Sequence, residues 1–140
     1  MSDTTPLMPK HDTRRRLPNR RPNETIEVEI ENQAYSVTLG YYPDDAQVGE
    51  IFIEGAKTGS QLDGILADAA ILASRCLQAG IPAAEIARSM SRLPTSPFTP
   101  ATEPASPIGA ALDLAAATNI VPPAGDFKPA KRDHGHGAVC

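Results

Sequence analysis

Val48-Gly49-Glu50-Ile51-Phe52-Ile53-Glu54 runs through Gly55-Ala56 into Lys57-Thr58-Gly59-Ser60, and a long apolar segment follows from Leu62. The first seven residues predict a strand, and a glycine inside it, Gly49, marks a bulge or a close backbone approach. Ser60 with Asp63 three residues on is an Asp variant of the capping box, which starts a helix. Leu62, Ile65, Leu66, Ala69, Leu72, Ala73, Cys76 and Leu77 then recur at helical spacing. Gly80 supplies a left-handed stop and Pro82 lies two positions beyond it. A strand that turns directly into a capped amphipathic helix places the chain in the α+β class.

Working back toward the N-terminus, Thr25 to Glu31 alternates strictly, with Ile26, Val28 and Ile30 on one face and glutamates on the other. That is the period of a half-buried strand. Asn32-Gln33 is a tight connection to a second strand, Tyr35 to Tyr42, and Pro43-Asp44-Asp45-Ala46 is a turn into the third. Connections this short permit only antiparallel neighbours, so the three strands form a meander. Toward the C-terminus, Pro82 opens a second helix over Ala83 to Arg92, and five prolines make Pro94 to Pro107 an irregular connector. Ser106-Pro107 caps a short third helix, Ile108 to Ala117.

The expected architecture is a three-stranded antiparallel meander packed by one long helix and two shorter ones, over residues 24–118. A basic arm, residues 1–23, and a tail, residues 119–140, are expected to be disordered, being rich in Pro, Gly and charge. In 140 residues the chain has 14 prolines, three phenylalanines, three tyrosines and no tryptophan. Few large side chains are left for the core, so self-association into a homo-oligomer is expected.

Charge is distributed unevenly. Residues 1–22 carry +4 through Lys10, Arg14, Arg15, Arg16, Arg20 and Arg21, whereas residues 23–127 carry −10. Such an arm can reach an anionic partner or fold back on its own acidic body. Nucleic acid is disfavoured as that partner, because the body repels phosphate and no aromatic residue interleaves with the arginines. The remaining choices are self-docking and a protein-docking arm of Arg14, Arg15, Arg16, Arg20 and Arg21.

Cys76 and Cys140 make no disulfide framework, and no apolar signal or membrane-spanning segment is evident, so a cytoplasmic location is expected. Cys76 reads as a small core residue. His134, His136 and Cys140 lie on a glycine-rich tail that lacks a fourth ligand, so no metal site is assigned. Lys57, Thr58, Gly59 and Ser60 precede a helix N-terminus, where free amides attract phosphate, and are the candidate nucleotide or anion contacts. The Walker spacing is absent. Glu50 and Asp63 sit near this turn without a base or nucleophile to join them, so no catalytic residue is assigned.

Arg16-Leu17-Pro18-x-Arg20-Arg21, Gly49-Glu50-Ile51-Phe52-Ile53, Lys57-x-Gly59-Ser60, Gly64-Ile65-Leu66-x-Asp68-Ala69 and Ser74-x-x-Leu77-Gln78-x-Gly80-Ile81-Pro82 occur in this order. Together they resemble the TSCPD domain, a module at the C-terminus of vitamin B12-dependent ribonucleotide reductases that also occurs as a small free-standing protein. Gly49, Glu50, Phe52, Asp63 and Asp68 are taken as motif positions on this resemblance. The pentapeptide Thr-Ser-Cys-Pro-Asp is absent, and so are the catalytic barrel and its cysteines. The resemblance implies an accessory or regulatory protein of deoxyribonucleotide synthesis that binds a ribonucleotide reductase or a nucleotide. It implies an association with adenosylcobalamin but no cofactor bound by this chain, and no catalysis by it alone. The other readings are a structural interaction module without a nucleotide role and a weak nucleic-acid binder acting through the arm.

Overall fold

A computed structural model describes residues 14–118. The expectations for residues 1–13 and 119–140, including His134, His136 and Cys140, lie outside the described residues. The elements are β1 (Asn23–Ile30), β2 (Gln33–Tyr41), β3 (Val48–Glu54), α1 (Gln61–Gln78), α2 (Ala83–Arg88), β4 (Arg92–Pro94), β5 (Thr102–Pro104) and α3 (Pro107–Thr118). The first three strands form one antiparallel sheet in the order β1-β2-β3. The α+β class and the meander are therefore as the sequence predicts.

The β1–β2 hairpin closes through Glu31 and Asn32, at φ 53° and 67°, since Ile30 pairs with Gln33. Two consecutive left-handed residues match a turn whose twist suits the flanking strands. The turn thus lies one residue earlier than Asn32-Gln33. Between β2 and β3 the register slips: Gly40 opposes Glu50 and Tyr41 opposes Val48, so Gly49 is the extra residue of a bulge.

Val37 and Leu39 of β2 and Ile51 and Ile53 of β3 form the buried floor, with Ile26, Val28 and Ile30 half-buried beside them. Helix α1 packs chiefly on β3, whereas α3 packs against α2 and reaches all three strands. Small residues dominate the helical side, with Ala70, Ala73, Ala83, Ala87, Ala111 and Ala115 all buried. A core with few aromatics thus closes by near approach of helix to sheet instead of by large side chains.

Helix α1 starts at the Ser60 cap and ends at Ala79. Gly80, at φ 100°, donates its N–H to the Leu77 carbonyl at 3.0 Å, and Ile81 donates to Cys76 at 3.1 Å. This pair of bonds is the Schellman arrangement, which needs the left-handed residue that glycine supplies. The apolar stripe is a correction. Leu66, Ala70, Ala73 and Leu77 are buried, but Leu62, Ile65 and Leu72 are 43%, 55% and 67% exposed. One helix lying on an edge strand presents only part of its circumference to the sheet, and eight apolar positions are more than that face holds. Cys76 is free and half-buried at its margin.

Two further corrections follow. Helix α2 ends at Arg88, short of Arg92, because Arg92 enters β4 and donates to the Thr102 side chain at 2.7 Å. The connector expected to be irregular contains the small β4–β5 ladder, Arg92 opposite Pro104 and Pro94 opposite Thr102. The Ser106 cap is present, its hydroxyl accepting from the Gly109 N–H at 3.1 Å.

Candidate functional site

The segment between β3 and α1 is a self-satisfied turn. Ser60 Oγ accepts from the Asp63 N–H at 3.1 Å, and Asp63 Oδ2 accepts from the Gly59 N–H at 3.0 Å. Gly59 sits at φ 80°, a backbone conformation suited to glycine, and that turns its amide toward the carboxylate. Ser60 itself donates its N–H to the Lys57 carbonyl at 3.0 Å. The Asp63 carboxylate thus takes the Gly59 amide and places a negative charge in the first turn of the helix.

Lys57 and Thr58 are exposed. Lys57 lines an open cleft of about 330 Å³ together with Glu31, Gln33, Tyr35, Leu62 and Pro107 among others. Gln33 Nε2 donates to the Gly55 carbonyl at 3.2 Å and ties the β1–β2 turn to this wall. Among the described residues of the lining, Lys57 is the sole basic one and Glu31 the sole acidic one.

The second assembly brings the arm onto the edge of the sheet. Arg21 grips Glu50 with two bonds, Nε to Oε2 at 2.5 Å and Nη2 to Oε1 at 3.1 Å. Their side chains are 27% and 12% exposed, so the pair is partly shielded from water. The Glu50 hydrogen bonds hold the Arg21 guanidinium above its usual pKa. Arg15 donates to Asp44 at 2.7 Å and Asp45 at 2.9 Å, and its guanidinium lies 3.6 Å from the centroid of the Tyr42 ring. Partial burial opposes the Arg15 charge, but the hydrogen bond and charge of Asp45, with Asp44, outweigh it and leave its pKa raised.

Backbone bonds complete the docking. The Arg15 N–H donates to the Gln78 carbonyl at 2.7 Å, the Tyr42 hydroxyl donates to the Arg15 carbonyl at 2.8 Å, and Tyr41 N–H donates to Pro22 at 2.9 Å. Of the five arm arginines proposed as a docking surface, Arg15 and Arg21 are thus engaged by this chain's own acids. Arg14 is half-buried, and Arg16 and Arg20 are exposed. Arg16 and Tyr42 line a second open cleft of about 340 Å³.

Among the motif positions, Gly49 is the bulge, Glu50 the arm's anchor and Asp63 the helix cap. Phe52 is 50% exposed on the outer face of the sheet, and Asp68 is exposed on α1. Two contributors were not read from the sequence as contacts. Ser74 Oγ accepts from the Ile51 N–H at 2.8 Å, and Gln78 Nε2 donates to the Gly49 carbonyl at 2.9 Å. They cover backbone groups of β3, an edge strand that would otherwise be open to pairing. Their signal is a polar i, i+4 pair beside an apolar helix face.

No group of three or more His, Cys, Asp or Glu residues among the described residues is arranged to hold a metal ion. No described helix is long and apolar enough to cross a membrane. The two clefts are open and each encloses a few hundred Å³.

The family model for the TSCPD domain matches residues 9–116. A vitamin B12-dependent ribonucleotide reductase of Streptantibioticus cattleyicolor is 38% identical over 69 residues, which is 49% of this chain and 11% of that protein. The enzymes of the same name from Streptomyces clavuligerus and Streptomyces avermitilis are also 38% identical over 69 residues, covering 7% of each. The match therefore spans about a tenth or less of these curated relatives. No solved structure matches the chain.

Proposed function

The chain belongs to the TSCPD domain family, and from that membership we propose that it is an accessory recognition module of ribonucleotide reduction. The observation that carries this reading is the match itself, a domain-sized segment that forms a small part of vitamin B12-dependent reductases. The chain docks on, or regulates, a ribonucleotide reductase in deoxyribonucleotide synthesis, and works in the cytoplasm. Adenosylcobalamin belongs to the reductase in this reading, as the name of the vitamin B12-dependent relatives suggests.

Protein recognition is favoured over nucleotide binding by one contact. With Asp63 bonded to the Gly59 amide, a phosphate at Lys57–Ser60 would have to displace a carboxylate that is already paired. Lys57 is left as the single cation among the described residues that line its cleft, and it is exposed. The outward-facing Arg20 and Phe52 offer further contacts for a protein partner.

Isothermal titration of the purified full chain into a vitamin B12-dependent ribonucleotide reductase from the same organism tests the proposal. Saturable binding is expected, weakened by Arg20→Glu. Absence of heat and of co-sedimentation would overturn it. A thermal-shift panel of nucleoside di- and triphosphates separates the two modes: a shift lost in Lys57→Ala would restore the nucleotide site, and no shift accords with a protein-docking module.

A further inference from the structure

Leu62, Ile65, Ala69, Leu72 and Cys76 lie on one side of α1 at alternating spacings of three and four residues. This is the a/d pattern of a helix seam, offset from the face that packs on the sheet. Leu62, Ile65 and Leu72 are 43%, 55% and 67% exposed, and Ala69 and Cys76 are half-buried. The helix therefore carries two apolar faces and the domain covers one of them.

The charges beside the seam identify what fits it. With Leu62, Ala69 and Cys76 at a, the flanking e positions are Leu66 and Ala73, both buried in the domain's own core. The g positions on the open side include Asp68 and Arg75, both exposed. They are about 10.5 Å apart along the helix, too far to pair with one another, and neither has an ion pair among the described residues. Antiparallel seams bring g against g, so a second α1 laid antiparallel sets Asp68 against the partner's Arg75 and Arg75 against the partner's Asp68. A parallel pairing would set both charges against buried apolar e residues.

We propose that α1 is the two-fold interface of a homodimer, its exposed seam covered by the same helix of a second copy in antiparallel orientation. Ala69 then packs against the partner's Leu72, and Ile65 against the partner's Cys76, each contact occurring twice as an isologous interface requires. The seam from Leu62 to Cys76 is about 21 Å long. A seam of that length makes an interface at the small end of specific ones, so the dimer is reversible and concentration-dependent.

Sedimentation velocity of the full chain across the micromolar range tests this without reference to any reductase. A reversible monomer–dimer equilibrium is expected. Leu72→Glu should weaken it by at least about tenfold, and unchanged far-UV circular dichroism would show that the variant remains folded. Asp68→Arg alone should weaken dimerisation about tenfold by placing like charges together twice, and the double reversal Asp68→Arg with Arg75→Asp should restore it. A chain that stays monomeric, a Leu72→Glu variant that dimerises as the parent does, or a double reversal no better than the single one would each overturn the proposal. A monomer whose Ile65→Glu variant loses binding to a reductase would assign the same face to that protein instead.

Discussion

The Asp63 carboxylate lies 3.0 Å from the Gly59 amide nitrogen, so the N-terminus of α1 supplies its own anion. Ser60 completes the exchange by accepting from the Asp63 N–H at 3.1 Å. Replacing Ser60 by Ala removes one capping bond and should lower stability by about 1 kcal/mol in urea denaturation, with Ser60→Asp close to neutral. Asp63→Ala frees the Gly59 amide. That variant should gain more stability from added sulfate than the parent does, and equal responses would show that the carboxylate does not guard the position.

Arg21 and Glu50 anchor the arm more firmly than Arg15 does. The Arg21 pair is bidentate and partly shielded, whereas Arg15 and Asp44 have side chains 40% and 75% exposed. A double-mutant cycle on Arg21→Ala and Glu50→Ala should give a coupling energy of about 1–2 kcal/mol. The Arg15–Asp44 cycle should give less than about 1 kcal/mol and vanish in high salt. Equal couplings would mean that exposure does not set the difference.

Gly49 is required for space as well as for the bulge. A Cβ there would meet the Tyr42 ring at 2.5 Å, and that ring is itself pinned by Arg15. Gly49→Ala should therefore destabilise the domain by about 1–3 kcal/mol. It should also loosen the arm, read as faster amide exchange at Arg15 and Tyr41. Loss of stability with unchanged exchange there would separate the bulge from the docking.

The local code of this chain was legible because each boundary has its own chemistry. Val48–Glu54 alternates as a strand with one glycine at its bulge, Ser60 and Asp63 start α1, Gly80 ends it, and Ser106 starts α3. The β4–β5 ladder was not legible, since three-residue strands ending in Pro94 and Pro104 carry no period. Nor was the division of the α1 stripe, because which apolar residues are covered depends on α1 lying over an edge strand. The arm's fate was open for a related reason. Sequence gives Arg15 and Arg21 their charge, but only the bulged edge brings Glu50, Asp44 and Asp45 within their reach.

Tyr42 makes the docked arm sensitive to alkali. Burial is the largest influence on its hydroxyl and pushes its pKa above 10.0, with Asp45 and Asp44 adding to the rise and Arg15 and Arg14 opposing it. In the unfolded chain the phenol ionises near its ordinary value, so the unfolded state loses its proton first. The stability from the neutral folded phenol is therefore complete below pH 10.0 and declines as pH rises from there through the folded value. Tyr41, raised by burial and by its bond to Glu24, acts in the same sense. Tyr42→Phe should cost about 1 kcal/mol at neutral pH, through the lost bond to the Arg15 carbonyl, while keeping the ring beneath the guanidinium. Its stability should then fall less steeply than the parent's above pH 10.0, leaving the Tyr41 contribution. Urea denaturation from pH 8 to pH 11 measures both limbs, and parallel curves for parent and variant would show that the Tyr42 hydroxyl does not carry the alkaline loss.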